Sequence, residues 1–257
     1  MAEAQTMTSS QQPPTTISLQ NSLSLLTSFS TLAILLPFLL YLHFDYLAFL
    51  SLGPGGTPST LSGYIRVKLL ACFALSDPYE PGLPPLRLQN QSGYLPSLSK
   101  RPGPRPCTRG IAPHRQVTQK STPHLYSLLA SAIEELGRSS DDLRIGTSCF
   151  EKNGTGLFST SPAKRTCAGE VTHAHPSDGS MHLTLHPADA KVVLEAGWGE
   201  RHPLARGGWF ERFVPAGFVM VYAPVCEGDV GVVMGVVRAA ASFVGGAEVP
   251  GERVMGP

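Results

Sequence analysis

Two runs of alternating side chains, AGEVTHAH at 168–175 and SMHLTLH at 180–186, flank the tetrapeptide PSDG at 176–179. Side chains along a strand alternate between two faces, and Pro, Ser, Asp and Gly are turn residues. The stretch therefore predicts a β-hairpin with a loop of two or four residues. That loop pairs His175 with Ser180, His173 with His182, Val171 with Thr184, and Gly169 with His186. Directly opposite residues share a face. One face then carries His173, His175, His182 and His186, four of the eight histidines in the chain. The other carries Thr172, Ala174, Met181, Leu183 and Leu185, which suit a core. A slip of one residue would scatter both sets, so the hairpin constrains the fold strongly.

Other elements cluster around it. STPHLYSLLASAIEELG offers a Ser/Thr cap, Pro123 in the first turn, Gly137 at the end and a stripe of Leu125, Leu128, Leu129, Ile133 and Leu136. DLRIGTSCFE and GLFSTS read as strands, and HPADAKVVLEAGWG as a short helix opened by Pro187. GFVMVYAP, 217–224, reads as a buried strand, and EGDVGVVMGVVRAAASFVGG as a helix with acids in its first turn. Strands in runs with helices outside them predict an α+β domain, mainly an antiparallel sheet with packed helices.

Ahead of this domain, residues 23–44 form an apolar run without a formal charge, long enough to span a bilayer as a transmembrane helix. Residues 1–22 are polar and predict disorder, and 45–110 read as a juxtamembrane segment and a Pro-rich basic linker. The folded domain is placed at 111–250. Lys and Arg near the span all lie C-terminal to it, which predicts a single-pass anchor with the C-terminal domain facing the cytosol. The triplets Asn90-Gln91-Ser92 and Asn153-Gly154-Thr155 point the other way, since glycosylation acts in the lumen. Five dispersed cysteines without a CxxC read as reduced thiols. The net charge of +1 gives no field that would attract nucleic acid. Bilayer lipid is the expected macroscopic partner.

The histidine face admits three readings. Histidine suits zinc or iron, but no carboxylate sits in a motif-like place: Glu170 has the wrong parity and Asp178 lies in the turn. Histidine also titrates near neutrality and serves as a base. The third reading is a polar, solvent-exposed strand face.

THAHPSDGSMHLTLHPADAKVVLEAGWGERHPLA, 172–205, resembles the fungal luciferase family, in which a His-x-His hairpin precedes a Gly-Trp-Gly-x-Arg-His-Pro-Leu segment. FDYLAFLSLGPGGTPSTLSGYIRV at 44–67, APHRQVTQ at 112–119 and FVMVYAP at 218–224 look like further family segments in the same order. Two positions depart from the pattern: Arg206 stands where a glycine is expected, and Val225 where a basic residue is expected.

The resemblance implies a membrane-anchored enzyme that oxidises a hydroxylated pyrone, 3-hydroxyhispidin, with molecular oxygen as co-substrate and without metal or organic cofactor. An endoperoxide loses CO2 and leaves excited caffeylpyruvate. On this reading His173, His175 and His182 form the base cluster, and Arg201 and His202 stabilise the oxyanion. Trp198 stacks on the planar substrate, with His186, Arg115, Gln116 and Tyr222 as further contacts. A non-catalytic domain that binds an aromatic metabolite, or a His-metal enzyme, are the alternatives.

Overall fold

The computed structural model describes residues 16–95, 97–164 and 166–246. The disorder expected over 1–22 falls on residues 1–15 outside that range; from Thr16 onward the backbone is helical. Helix α1 (Thr16–Ser51) runs for 36 residues, longer at both ends than the apolar stretch of 23–44. Its portion Leu23–Ser51 is long and apolar enough to cross a membrane. The chain divides into two compact units, Met1–Ala48 and Phe49–Pro257.

The second unit starts well before residue 111. The basic, Pro-rich stretch read as a linker belongs to it, because its cations find buried acceptors in the domain. Arg105 donates to the carbonyls of Gly199 and Leu194 at 2.9 and 2.6 Å, and Arg101 is 7% exposed. Within this stretch lie helix α2 (Leu61–Ala71), capped by Thr60, and strand β1 (Thr108–Gly110), which forms a two-stranded ribbon with β2 (His114–Gln116) just beyond it.

Helix α3 (Pro123–Arg138) starts where expected: Thr122 Oγ1 accepts from the Leu125 N–H and Pro123 fills the first turn. Leu125, Leu129, Ile133 and Leu136 are buried, but Leu128 is 38% exposed, off the stripe's centre. Strands β3 (Leu143–Thr147), β4 (Thr155–Ser159), β5 (Glu170–Ala174) and β6 (Met181–Thr184) follow as an antiparallel meander. Helix α4 (Pro187–Glu195), β7 (Gly199–Arg201), β8 (Phe218–Val221) and helix α5 (Glu227–Gly245) complete the unit. The six-stranded sheet has the order β3-β4-β5-β6-β8-β7, antiparallel throughout. The fold is α+β.

Helix α5 also passes the length and apolarity test for a span, but most of it is buried against the sheet and α3. It is the core helix. Leu183, Leu185, Val219 and Val221 of the sheet pack with Leu129, Ile133, Val233 and Val237 of α3 and α5. The opposite face is covered by the β1–β2 ribbon and the turn 148–151, so strands β5, β6 and β8 are buried on both sides. The exposed strand face considered from sequence does not occur: His173, His175 and His182 are at most 3% exposed.

Cys149 and Cys167 form a disulfide, and Cys72, Cys107 and Cys226 are exposed thiols. Five reduced thiols were expected; the separation of 18 residues hid a pair that the β4 hairpin brings together.

Candidate active site

The hairpin has the expected register. His173 faces His182, Ala174 faces Met181, and the His175 N–H donates to the Ser180 carbonyl at 2.7 Å. Gly179 adopts φ +81 and Asp178 Oδ1 accepts from the Ser180 N–H, which closes a four-residue loop. Three of the four histidines converge. His186 does not: the ladder ends at Thr184, and Pro187 can donate no strand hydrogen bond and opens α4. His186 instead caps that helix, its Nδ1 accepting from the Ala188 N–H at 3.2 Å, with its ring against Phe243.

No carboxylate was expected in the cluster, and the structure brings in four: Glu170, Glu151 and Glu200, and Asp178 through Ser180. Glu170 reaches it through a bulge. His173 pairs with Gly156 and Thr172 with Leu157, but Phe158 pairs with Glu170, so Val171 is the extra residue. The bulge turns Val171 into the core and Glu170 to the histidine side. Glu170 then accepts from His173 Nδ1 at 2.7 Å and Ser148 Oγ at 2.8 Å through one oxygen, and from the backbone N–H of Cys149 and Phe150 through the other. Glu151 lies 3.8 Å from both His173 Nε2 and His175 Nε2 and is held by a two-pronged bond from Arg115. Glu200 contacts His114 Nε2 at 3.0 Å and accepts from Thr108 and Tyr222 hydroxyls.

His114 joins from β2. Its Nδ1 is 3.2 Å from His182 Nε2, and His182 Nδ1 is 3.0 Å from His175 Nε2. Donor bookkeeping orients this chain. The Ser180 hydroxyl donates to Asp178 at 2.6 Å and therefore accepts from His175 Nδ1–H at 2.9 Å. His175 Nε2 is then an acceptor for His182 Nδ1–H, and His182 Nε2 an acceptor for His114 Nδ1–H. Burial pushes His175 down to about 4 and His182 and His202 well below the usual histidine range, each further disfavoured by neighbouring cationic forms. The Glu200 carboxyl is held low against its own burial by the His114 contact and the two hydroxyls. Asp178 is likewise held low, by His175 and Ser180.

One imidazole nitrogen is left over. Glu170 fixes the proton of His173 on Nδ1, and among the described residues no hydrogen bond engages His173 Nε2. His202 has no such nitrogen: Nδ1 accepts from the Leu204 N–H and Nε2 donates to the Ile111 carbonyl. Phe218 stacks on the His182 ring at 5.1 Å and Phe150 lies beside His173.

The remaining sequence candidates separate. Arg201 and His202 are neighbours on an extended segment and project to opposite faces. Arg201 shares a row with Val219 and Leu183 on the helix side, so it does not face the cluster. Trp198 sits in the core, 2% exposed, its indole N–H donating to the Ser99 carbonyl. Gln116 bridges backbone, accepting from the Ala223 N–H and donating to the Thr118 and Gln119 carbonyls. Tyr222 reaches the cluster only through Glu200, and burial raises its phenol well above the ordinary range. Sequence reasoning passed over His114, beside Arg115 in the same segment. It also passed over Glu200, which shares the parity of His202.

The histidine triads His173–His175–His182 and His114–His182–His202 each bring three nitrogens within 4.8 Å, close enough to hold a metal ion. The bookkeeping fits this poorly. A ligand nitrogen must present a lone pair, and only His173 Nε2 does so without a bond being given up.

A luciferase-domain family model matches residues 168–240, the segment from the bulged hairpin through most of α5. The chain is 32% identical over 223 residues to luciferases of Armillaria gallica and Armillaria ostoyae, covering 79% of this chain and 82% of each relative. It is 31% identical over 221 residues to a luciferase of Neonothopanus nambi, covering 78% and 80%. No solved structure matches the chain significantly. The histidine hairpin thus lies in the matched domain, and the chain belongs to the fungal luciferase family.

Proposed function

We propose that the protein is a luciferase-type oxygenase that oxidises a hydroxylated pyrone of the 3-hydroxyhispidin kind with molecular oxygen. The observation that carries this is the unengaged Nε2 of His173 inside a buried, carboxylate-oriented imidazole cluster. An enol must lose its proton before it can pass an electron to oxygen, and a neutral imidazole nitrogen is a suited base. Glu170 fixes the tautomer and stabilises the imidazolium that forms, and Arg115 holds Glu151 beside the same nitrogen. His175, His182 and His114 form a hydrogen-bonded row between Ser180 and Glu200, and the His175 ring lies 5.3 Å from the His173 ring, so the row adds polar surroundings to the base. Because His173 is 3% exposed, substrate contact requires the cover around Phe150 to move. Oxygen uptake with a hydroxypyrone panel tests the proposal; a protein that binds the pyrone and consumes no oxygen is a binding domain.

A second reading, a His-metal enzyme, is favoured by the three nitrogens of His173, His175 and His182. Metal content of purified protein separates the two: stoichiometric zinc or iron that is required for oxygen uptake would replace the metal-free proposal.

Helix Leu23–Ser51 is proposed as a single-pass anchor, with the folded unit on the cytosolic side. Arg66 and Lys68 after the helix support that side. The Cys149–Cys167 disulfide favours an oxidising compartment instead, so cysteine chemistry no longer argues for the cytosol.

A further inference from the structure

A cavity of about 630 Å³ lies away from the histidine cluster and none of the cluster's histidines lines it. Its place follows from the sheet: Leu185, Val219 and Phe243, which line it, belong to the helix side, opposite His173 and His182. The volume falls within the range of small-ligand sites, about 300–1,000 Å³.

The lining is apolar with a charge imbalance. Arg87, Lys164, Arg201 and Arg206 contribute four cations, against Glu211 as the acid. None of the four makes a salt bridge among the described residues. Arg201 is held in place by backbone alone. Its guanidinium donates to the carbonyls of Ala205 and Glu80 and packs on Gly82, where a Cβ would fall 2.8 Å from Nη2. Carbonyls fix its position without neutralising its charge, and burial makes that charge costly to keep. A half-buried cation that feels Glu80 but forms no salt bridge with it leaves room for the close counter-charge an anionic ligand would supply.

We propose that this cavity binds a small organic anion: an apolar body against Leu185, Val219 and Phe243, with one acidic group at Arg201. The inference does not rest on the oxygenase reading. Two sources share this chemistry, a water-soluble aromatic acid and a lipid-derived acyl acid, and the lining residues suit both.

The test uses the full chain in phosphatidylcholine nanodiscs, with equilibrium dialysis of labelled cinnamate, cinnamamide, laurate and lauramide, and empty discs subtracted. We expect at least one carboxylate to bind at one per chain and at least tenfold tighter than its amide. Cinnamate binding alone assigns the aromatic source, and laurate binding alone the lipid source. Arg201→Gln and Ala216→Trp, the latter filling the cavity, should each weaken binding at least tenfold, while His173→Gln leaves it unchanged. If Arg201→Gln does not fold, Ala216→Trp decides. Equal binding of acid and amide, no binding of either acid, or wild-type affinity in the folded variants overturns the proposal.

Discussion

Replacing Glu170 by Gln separates the structural from the chemical role of the carboxylate. Glu170 is 1% exposed and accepts four hydrogen bonds, two at each oxygen. The backbone N–H groups of Cys149 and Phe150 cannot become acceptors, so the amide oxygen of Gln must stay with them. The NH2 then faces Ser148 and His173. Ser148 can accept in place of donating. His173 can do so only by moving its proton from Nδ1 to Nε2. The backbone N–H groups keep their acceptor, while the Ser148 O–H loses its own and the new His173 Nε2–H faces Glu151 Oε1 at 3.8 Å, so the loss is about 1–3 kcal/mol in total. For a unit of roughly 200 residues that lowers Tm by about 2–12 °C. Glu170→Leu instead strands both backbone N–H groups and should cost at least about 4 kcal/mol. The chemical consequence is larger. With the proton on Nε2, His173 presents no lone pair, and oxygen uptake with a hydroxypyrone should fall by about 10²-fold or more. Thermal melting, imidazole nitrogen NMR and oxygen electrode readings follow the three effects. Wild-type turnover in a Gln variant whose His173 tautomer has switched would refute the role given to Nε2.

Stability should fall in acid earlier than carboxylates alone would cause. His175, His182 and His202 have folded pKa values below their unfolded ones, so the unfolded chain binds more protons and stability rises with pH through that window. Melts between pH 7 and 5 should show loss beginning near pH 6.5, approaching about 4 kcal/mol per pH unit for three protons; a flat profile down to pH 5 contradicts the buried neutral cluster. Arg115→Met leaves Glu151 buried without its partner and should destabilise by about 3–5 kcal/mol, read by denaturant melts. Glycosylation mapping decides topology: unmodified Asn90 and Asn153 are expected for a cytosolic domain, and modification of either places it in the lumen.

The elements whose residues carry a period were legible in the sequence. The alternation of 170–184 gave the hairpin its register, and the Thr122 cap with Pro123 gave α3 its start. Features that depend on partners distant in sequence were not. The bulge had one local sign, Gly169 at φ +81 directly before Glu170, but the register shift that defines it lies opposite Leu157 and Phe158 on the neighbouring strand. The stretch 45–110 is Pro-rich and reads as linker, yet its Arg105 donates to the carbonyls of Gly199 and Leu194, and just beyond it His114 and Arg115 contact Glu200 and Glu151. Glu200 was within reach, since it and His202 lie two apart on one extended segment. That same parity separates Arg201 from His202, which adjacency in sequence had joined.

Oxygen uptake by the full-length protein with 3-hydroxyhispidin, compared between wild type and His173→Gln at matched melting temperature, bears most directly on the proposed chemistry. We expect substrate-dependent oxygen consumption in the wild type and a loss of at least about 10²-fold in the variant. A wild-type protein that binds the pyrone without consuming oxygen, or a folded variant that consumes it at full rate, would contradict His173 as the base.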